Sequence, residues 1–343
     1  MKRPTIRDVA ARAGVSHQTV SRVINGNGNV AAGTRKRVLE AIQELEYVPS
    51  ALARGLSSDR THTLGMVTAD VSDYFFAQAV AGAEAEARRH GLFLVVGSVE
   101  TAADGDERDY LRLMLERRVD GLVVAQPVLG PGTGSLLASL AERLPLVVMV
   151  ARLHLPGVDV VDVDNRQGGL DATSFLIEQG HRAIATITGP LDWPSARDRL
   201  ASYRVALRRA GLEQDPALVV RCRDWGLESG REAATRLLAA GSPFTAIFAQ
   251  SDLLALGAIT ELRAQGLRVP EDVSVVGYDD IPVASFVDPP LTTIRQPTRQ
   301  VGAKAVDILL DKIAAARSQT RSRPGRHLLR AELVVRQSTA PPG

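Results

Sequence analysis

Thr5-Ile6-Arg7-Asp8-Val9-Ala10-Ala11-Arg12-Ala13-Gly14-Val15-Ser16-His17-Gln18-Thr19-Val20-Ser21-Arg22-Val23-Ile24-Asn25 reads as two short helices folded about one glycine. Thr5 offers a hydroxyl cap and Asp8 an acid three residues on, the pattern of a capping box. Ile6, Val9, Ala10 and Ala13 then repeat at helical spacing and make one apolar stripe. Gly14 suits a tight turn in which a side chain would clash. Ser16 caps the second helix, with Val15 and Val20 at the two positions of a hydrophobic staple. Val20, Val23 and Ile24 form its buried stripe, so His17, Gln18, Ser21, Arg22 and Asn25 fall on the opposite face. Gln can bond an adenine edge twice and Arg can fork onto guanine, each worth about 1–3 kcal/mol of discrimination. A helix-turn-helix presents the start of its second helix to the major groove, where Gln18 and Arg22 lie. On spacing alone, a solvated polar helix face accounts for these residues equally well.

Moving outward, a third helix is expected from Thr34, with Val38, Leu39, Ile42 and Leu45 as its apolar stripe. Arg35, Lys36 and Arg37 crowd its first turn, against the helix dipole unless a phosphate lies close by. Tyr47-Val48-Pro49-Ser50-Ala51-Leu52-Ala53-Arg54-Gly55-Leu56 follows. Pro49 can start a helix, but so short a segment containing Gly55 is expected to fold only when paired or bound. Residues 1–60 hold ten Lys/Arg and five Asp/Glu, so a head of net +5 sits on a body of −3 within the chain's total of +2. That asymmetry suits a polyanion at one end only.

The 343 residues suffice for two or three domains, and a hydrophobic content of 45% with 23% charged is that of a soluble globular protein. No apolar run reaches the length of a membrane span, and the basic start lacks an apolar stretch behind it, so a cytoplasmic location is expected. A single cysteine, Cys222, excludes an internal disulfide and leaves no cysteine cluster for a metal. No cofactor is expected. Gly130-Pro131-Gly132-Thr133-Gly134 superficially resembles a dinucleotide loop, but it is read as an ordinary flexible loop without a clean strand-turn-helix. With no Walker lysine, paired-His helix or cysteine pair, an enzyme is not expected.

From Leu64 onward, β-branched runs alternate with helical patterns. Strands are expected at 64–68, 92–96, 121–125, 146–150, 159–163, 184–188, 219–222, 246–249 and 273–278, with helices such as 75–90, 168–179, 196–209 and 251–264 between them. Near-continuous apolar strands separated by helices mean parallel sheets covered on both faces, and so many strands call for two lobes. Ligands of such sheets bind beyond the carboxyl ends of the strands. The residues there are Ala69, Asp70, Gln126, Val150, Asp224, Trp225, Ser251, Asp252, Asp279, Asp280 and Gln296. Acids and amides suit hydroxyl groups, and an aromatic plate suits the C–H face of a sugar ring. Singly, Trp225 reads equally well as core, Asp279-Asp280 as a turn, and Asp252 as a helix cap.

Asp8-Val9-Ala10, Ala13-Gly14-Val15-Ser16, Thr19-Val20-Ser21-Arg22-Val23 and Asn25 resemble the LacI/GalR-type transcriptional repressor family, and the resemblance runs over nearly the whole chain. It extends to Gly189-Pro190-Leu191, Ser195-Ala196-Arg197-Asp198-Arg199-Leu200, Asp224-Trp225, Ser274-Val275-Val276-Gly277-Tyr278-Asp279-Asp280 and Pro290-Leu291-Thr292-Thr293-Ile294-Arg295-Gln296. It implies an α/β core of two doubly wound parallel-sheet subdomains, like periplasmic binding proteins, with a small all-α helix-turn-helix domain in front. The implied divisions are 1–46 for the DNA-binding domain, 47–60 for a hinge helix and linker, and 61–343 for the effector-binding core. Within the core, 61–161 plus 293–323 would form one subdomain and 162–290 plus 324–343 the other.

The resemblance implies that His17, Gln18 and Arg22 read bases while Thr5, Ser16, Thr19, Ser21 and Asn25 position phosphates. Leu56, flanked by Ala53 and Arg54, would wedge into the minor groove and kink it. In the core, Arg199 and Asp279 would bond ligand hydroxyls, Trp225 would stack, and Gln296 would line the floor. Ala69, Phe75, Phe76, Gln126 and Ser251 complete the implied effector site. Val150, Ser251 and Thr298 depart from what sugar-responsive members usually carry. The expected partners are a pseudo-palindromic double-stranded DNA operator, a small sugar that releases the repressor (a β-linked disaccharide, galactoside or glucoside among the candidates) and a second copy of the chain. A nucleobase corepressor, or a sugar-binding transport protein on the same fold, are the alternatives. No heptads follow the last strand, so a dimer is expected rather than a tetramer.

Overall fold

The computed structural model describes residues 4–24, 29–47, 60–99, 106–150, 155–318, 320 and 323–343. Contacts divide the chain into two units, Met1–His62 and Thr63–Gly343.

The first unit contains α1 (Ile6–Ala13), α2 (His17–Ile24) and α3 (Ala32–Glu44). Asp8 closes the start of α1 by accepting from the Thr5 N–H and the Thr5 hydroxyl, both at 2.7 Å. Gly14 ends it in the left-handed region at φ 65°, with its N–H turned back onto the carbonyls of Ala10 and Ala11. Ser16 Oγ accepts from the Thr19 N–H at 3.1 Å and so caps α2. Val9, Ala10, Ala13, Val20, Val23, Val38 and Ala41 are buried together as the core of this small unit. Two expectations need correction. α3 starts at Ala32 rather than Thr34, and Leu39 is 52% exposed while Ala41 takes the inward position. Leu39 sits one residue past Val38, which turns it about 100° off the buried stripe.

The second unit holds two parallel sheets. β1 (Thr63–Ala69), β2 (Phe93–Val99), β3 (Gly121–Ala125), β4 (Leu146–Met149), β5 (Asp159–Val163) and β11 (Arg326–Leu329) form the first, in the order β11-β5-β4-β3-β1-β2. β6 (Ile184–Thr188), β7 (Val219–Arg221), β8 (Ala246–Ala249) and β9 (Ser274–Val276) form the second, in the order β7-β6-β8-β9. β3, β4, β5, β6 and β8 are buried along their whole length, and β3, β4 and β8 accordingly read as unbroken apolar runs. In each sheet the strand order reverses beside the first strand, at β1/β3 and at β6/β8, opening a crevice at the carboxyl ends.

Helices cover the sheets. α4 (Tyr74–Arg89), α5 (Asp106–Glu116) and α6 (Thr133–Ala141) connect strands of the first, and α11 (Thr298–Arg317) returns to pack on β3, β4 and β5. α7 (Asn165–Glu178), α8 (Pro194–Arg209), α9 (Leu227–Ala239) and α10 (Asp252–Ala264) serve the second lobe. Two helix pairs meet backbone to backbone through glycines. On α4 and α11, a Cβ at Gly82 would lie 2.0 Å from the Arg299 carbonyl oxygen, and one at Gly302 would lie 1.9 Å from that of Ala79. On α9 and α10, Gly230 and Gly257 meet the Leu254 and Leu227 carbonyls in the same way, at 2.3 and 2.0 Å.

The chain passes between the lobes three times: after β5, at β10 (Thr293–Arg295), and after β11 through β12 (Glu332–Val334). β10 and β12 pair antiparallel. β11 does not belong with the second subdomain, where 324–343 was expected. It pairs parallel with β5, fixed by Gly325 N–H and His327 on Asp159, which also holds Lys312 at 2.8 Å. The following segment does return to the second lobe. The Ser338 carbonyl accepts from Val275 N–H, its hydroxyl donates to Val275 O, and Ala340 is held by Ser274 and His181.

Candidate functional site

Val20 and Val23 are buried in the head, which leaves His17, Gln18 and Arg22 exposed on one face of α2. Thr5 and Ser16 are exposed, and Thr19 and Ser21 half-buried. The hydroxyls of Thr5, Ser16 and Thr19 are engaged locally, with Thr5 on Asp8 and Ser16 against Thr19 at 3.0 Å, so their first work is to fix the helix starts. Asn25, Ala53, Arg54 and Leu56 lie outside the described residues.

In the second unit a cavity of about 410 Å³ opens at the carboxyl ends of both sheets, within the size range of small-ligand sites. It gathers seven of the nine effector candidates: Phe75, Phe76, Arg199, Trp225, Ser251, Asp279 and Gln296. Ala69 and Gln126 are not on its wall. Ala69 packs against the hydrophobic core, and Gln126 is buried beside Pro127, which does line the cavity.

Arg199 projects from α8 and is 4% exposed. Its Nε donates to Asn165 Oδ1 at 2.9 Å and its Nη1 to the Gln250 carbonyl at 2.6 Å, while the guanidinium lies 3.5 Å from the centre of the Tyr278 ring. Stacking and two bonds fix the fork and leave other N–H donors for a ligand. Asp279 accepts from Gln296 Nε2 at 2.6 Å. Burial pushes its carboxyl well up, and Arg199 pulls it partly back. Trp225 lies flat over Gly189, where a Cβ would come within 2.4 Å of the ring, so the backbone fills one of its faces. Its edge meets Trp193 at 5.6 Å between centroids, Trp193 meets Phe76 at 6.1 Å, and Phe76 meets Phe75 at 5.3 Å. This aromatic chain joins the two lobes across the cavity.

Ser251 is the cap of α10, accepting from Leu254 N–H at 3.1 Å. Asp252, expected as the cap, is instead a buried tie that accepts from Ile281 N–H and Thr293 Oγ1. Burial pushes its carboxyl up to about 7. Sequence reasoning missed Asp73, Asp162, Asn165 and Trp193 on the cavity wall. Asp73 caps α4 through Phe75 and Phe76 N–H. Asp162 was open to discovery, since a carboxylate inside a buried strand calls for an explanation.

Val150, on the cavity wall, has φ 56°, a region that β-branched residues avoid. Such strain costs on the order of 1–3 kcal/mol. Val150→Asn should therefore raise stability by about 1 kcal/mol, seen as a higher thermal midpoint; a lower midpoint would show that the lost packing outweighs the relief.

The competing chemistries find no support. The Gly130–Gly134 loop does join β3 to α6, contrary to expectation, and it is pinned rather than loose. Glu107, 1% exposed, accepts from Gly130 N–H at 2.7 Å and from the Thr133 hydroxyl, so a carboxylate already occupies the place a phosphate would need. Burial pushes the Cys222 thiol up to about 11, the opposite of an activated nucleophile. Among the described residues, Glu86, His90 and Asp307 could approach a metal together, but Arg89 is ion-paired with the Glu86 carboxylate. No helix among the described residues is long and apolar enough to cross a membrane.

A helix-turn-helix head with an exposed polar face on its second helix, followed in the chain by a two-lobed α/β body with a cavity, is the build of a DNA-binding transcriptional regulator. The family description "Bacterial regulatory proteins, lacI family" matches residues 5–50, and "Periplasmic binding protein-like domain" matches residues 173–339. The HTH-type transcriptional repressor CytR of Escherichia coli (strain K12) is 36% identical over 344 residues, covering 98% of this chain and 96% of its own length. The lac repressor dimer bound to operator and the anti-inducer ONPF superposes with a TM-score of 0.89 at 33% identity, covering 99% of this chain and 100% of its own. The regulator CelR in complex with cellobiose gives a TM-score of 0.72 at 38% identity, covering 98% and 100%. The chain belongs to the LacI family and is a DNA-binding transcriptional repressor; the members of this family are regulators, not enzymes.

Proposed function

We propose that this repressor works as a dimer on a pseudo-palindromic operator and is released by a small sugar bound in the cavity. The observation that carries the sugar reading is the meeting of Arg199, Asp279 and Gln296 with an aromatic wall: charged and amide groups for hydroxyls beside aromatic surface for C–H faces. Similarity to a regulator solved with cellobiose supports a β-linked disaccharide in particular. His17, Gln18 and Arg22 would read bases, Thr5, Ser16, Thr19, Ser21 and Asn25 would hold phosphates, and Leu56 with Ala53 and Arg54 would act in the minor groove. The exposed apolar side chains of Phe93, Val95 and Val96 on edge strand β2, with Leu113 and Leu115 on α5, suit the pairing of two copies, since an uncovered apolar edge invites association.

A ligand can move the repressor off DNA only through its differential affinity for the two states. Operator affinity is therefore expected to fall at least tenfold in the presence of cellobiose or a related disaccharide, measured by fluorescence anisotropy. Nucleobases and nucleosides belong in the same series. Tighter operator binding with a nucleobase, and no response to any sugar, would replace this reading with the corepressor one.

A further inference from the structure

Among the described residues, the ionisable side chains on the cavity wall include three carboxylates, Asp73, Asp162 and Asp279, facing one guanidinium, Arg199. We propose that this arrangement selects an uncharged ligand against its acidic or phosphorylated counterpart, with Asp162 as the residue that sets the discrimination. The proposal rests on the cavity being the effector site and deepens that reading.

Asp162 is 4% exposed and stands near the carboxyl end of β5. Its Oδ1 accepts from the N–H of Val163 at 2.8 Å, and its Oδ2 has Arg326 of β11 only at 3.7 Å. The other charges that act on it are Arg199 and Asp198, both on α8, and they oppose each other. Asp279 is tied to Gln296 and influenced by Arg199, and Asp73 is held by the start of α4. Arg199 is thus shared among several carboxylates and already donates to Asn165 and Gln250. An incoming anion would meet like charge in a partly desolvated cavity, where the repulsion is poorly screened. Hydroxyl groups, in contrast, can donate to each of these carboxylates.

Burial pushes the Asp162 carboxyl up to about 7, so its charge, and with it the rejection of anions, should fade between pH 8 and pH 6. A raised folded-state value also means that the stabilising contribution is present at low pH and lost as pH climbs through about 7.

The test uses the full chain and matched pairs: p-nitrophenyl β-glucoside with p-nitrophenyl β-glucuronide, p-nitrophenyl β-galactoside with its galacturonide, and adenosine with AMP. Calorimetry at pH 8 should find the uncharged member of whichever pair binds at least tenfold tighter, with the uronide pairs narrowing at pH 6. Asp162→Asn should shrink the ratio and weaken its pH dependence, leaving only the part due to Asp73 and Asp279, whose carboxyls burial also pushes up. An acidic member that binds as well as its neutral partner, or a ratio unmoved by Asp162→Asn, overturns the proposal. If adenosine binds and the glycosides do not, the sugar reading fails while charge selection is still decided by adenosine against AMP. Without any added ligand, Asp162→Asn should raise the thermal midpoint at pH 8 more than at pH 5. Equal shifts at both pH values overturn the proposal too, because no uncompensated charge would then be present.

Discussion

Gly302→Ala is expected to lower the thermal midpoint of the ligand-sensing unit by roughly 5–10 °C. The added methyl would stand 1.9 Å from the Ala79 carbonyl oxygen and 2.8 Å from its carbon, so it meets backbone rather than a side chain that could turn away. The facing glycine, Gly82, is equally confined by Arg299, so neither helix can yield without separating α4 from α11. Overpacking of this kind costs typically 1–3 kcal/mol and more where nothing can relax, and each kcal/mol is worth about 2–4 °C in a domain of this size. Gly134→Ala is the control: nothing lies within 4 Å of its added methyl, and helix propensity favours alanine. Calorimetry of the two variants distinguishes the cases. A Gly302→Ala midpoint within roughly 2 °C of the parent would mean that the helices slide apart cheaply.

Arg199→Ala should remove effector binding altogether, by more than about a hundredfold, and also destabilise the core. The side chain bonds Asn165 and the Gln250 carbonyl, stacks on Tyr278, and sits against carboxylates that burial already pushes up. Removing one partner of a buried charged cluster typically costs 3–5 kcal/mol, about a hundredfold or more in any linked equilibrium. The sign with pH follows from the carboxylates. Without the guanidinium, Asp279 and Asp162 titrate higher still, so the variant should lose more stability relative to the parent as pH rises from 5 to 8. Arg199→Lys should not restore binding, because an ammonium cannot keep the fork on Asn165 and Gln250 while lying flat on Tyr278. Retention of ligand affinity in Arg199→Ala, by titration calorimetry, would remove Arg199 from the effector site.

The head was legible because its signals are local. Thr5 and Asp8 close α1, Gly14 ends it and Ser16 opens α2, each within four residues of its partner. Leu39 was misjudged because periodicity alone cannot say which of two adjacent apolar residues, Val38 or Leu39, turns inward. β3, β4 and β8 were legible because burial on both faces leaves continuous apolar runs. Pairing partners were not: β11 joins β5 across more than 160 residues, and nothing within Arg326–Leu329 names that partner.

The cavity was half legible. Positions beyond strand ends found Ser251, Asp279 and Trp225, and the family resemblance supplied Arg199. Asp162 escaped because it sits within a strand rather than beyond one, and Trp193 because its place depends on a contact with Trp225 thirty-two residues away. Ala69 and Gln126 show the opposite error. Both stand at the right strand ends, but neither lines the cavity: Ala69 packs against the hydrophobic core and Gln126 is buried.

The return of the chain through β11, β12 and the segment at Ser338 also sets an order of events during synthesis. Among the described residues, the core of the head draws on nothing later than Tyr47. The first lobe lacks α11 and β11 until residues 298–329 have appeared, and the edge of the second along β9 is covered in part by Ser338 and Ala340. Contacts of such long sequence separation form slowly, and chains emerging from the ribosome fold from the leading end. The DNA reader is therefore assembled on the nascent chain well before either half of its sensor can close.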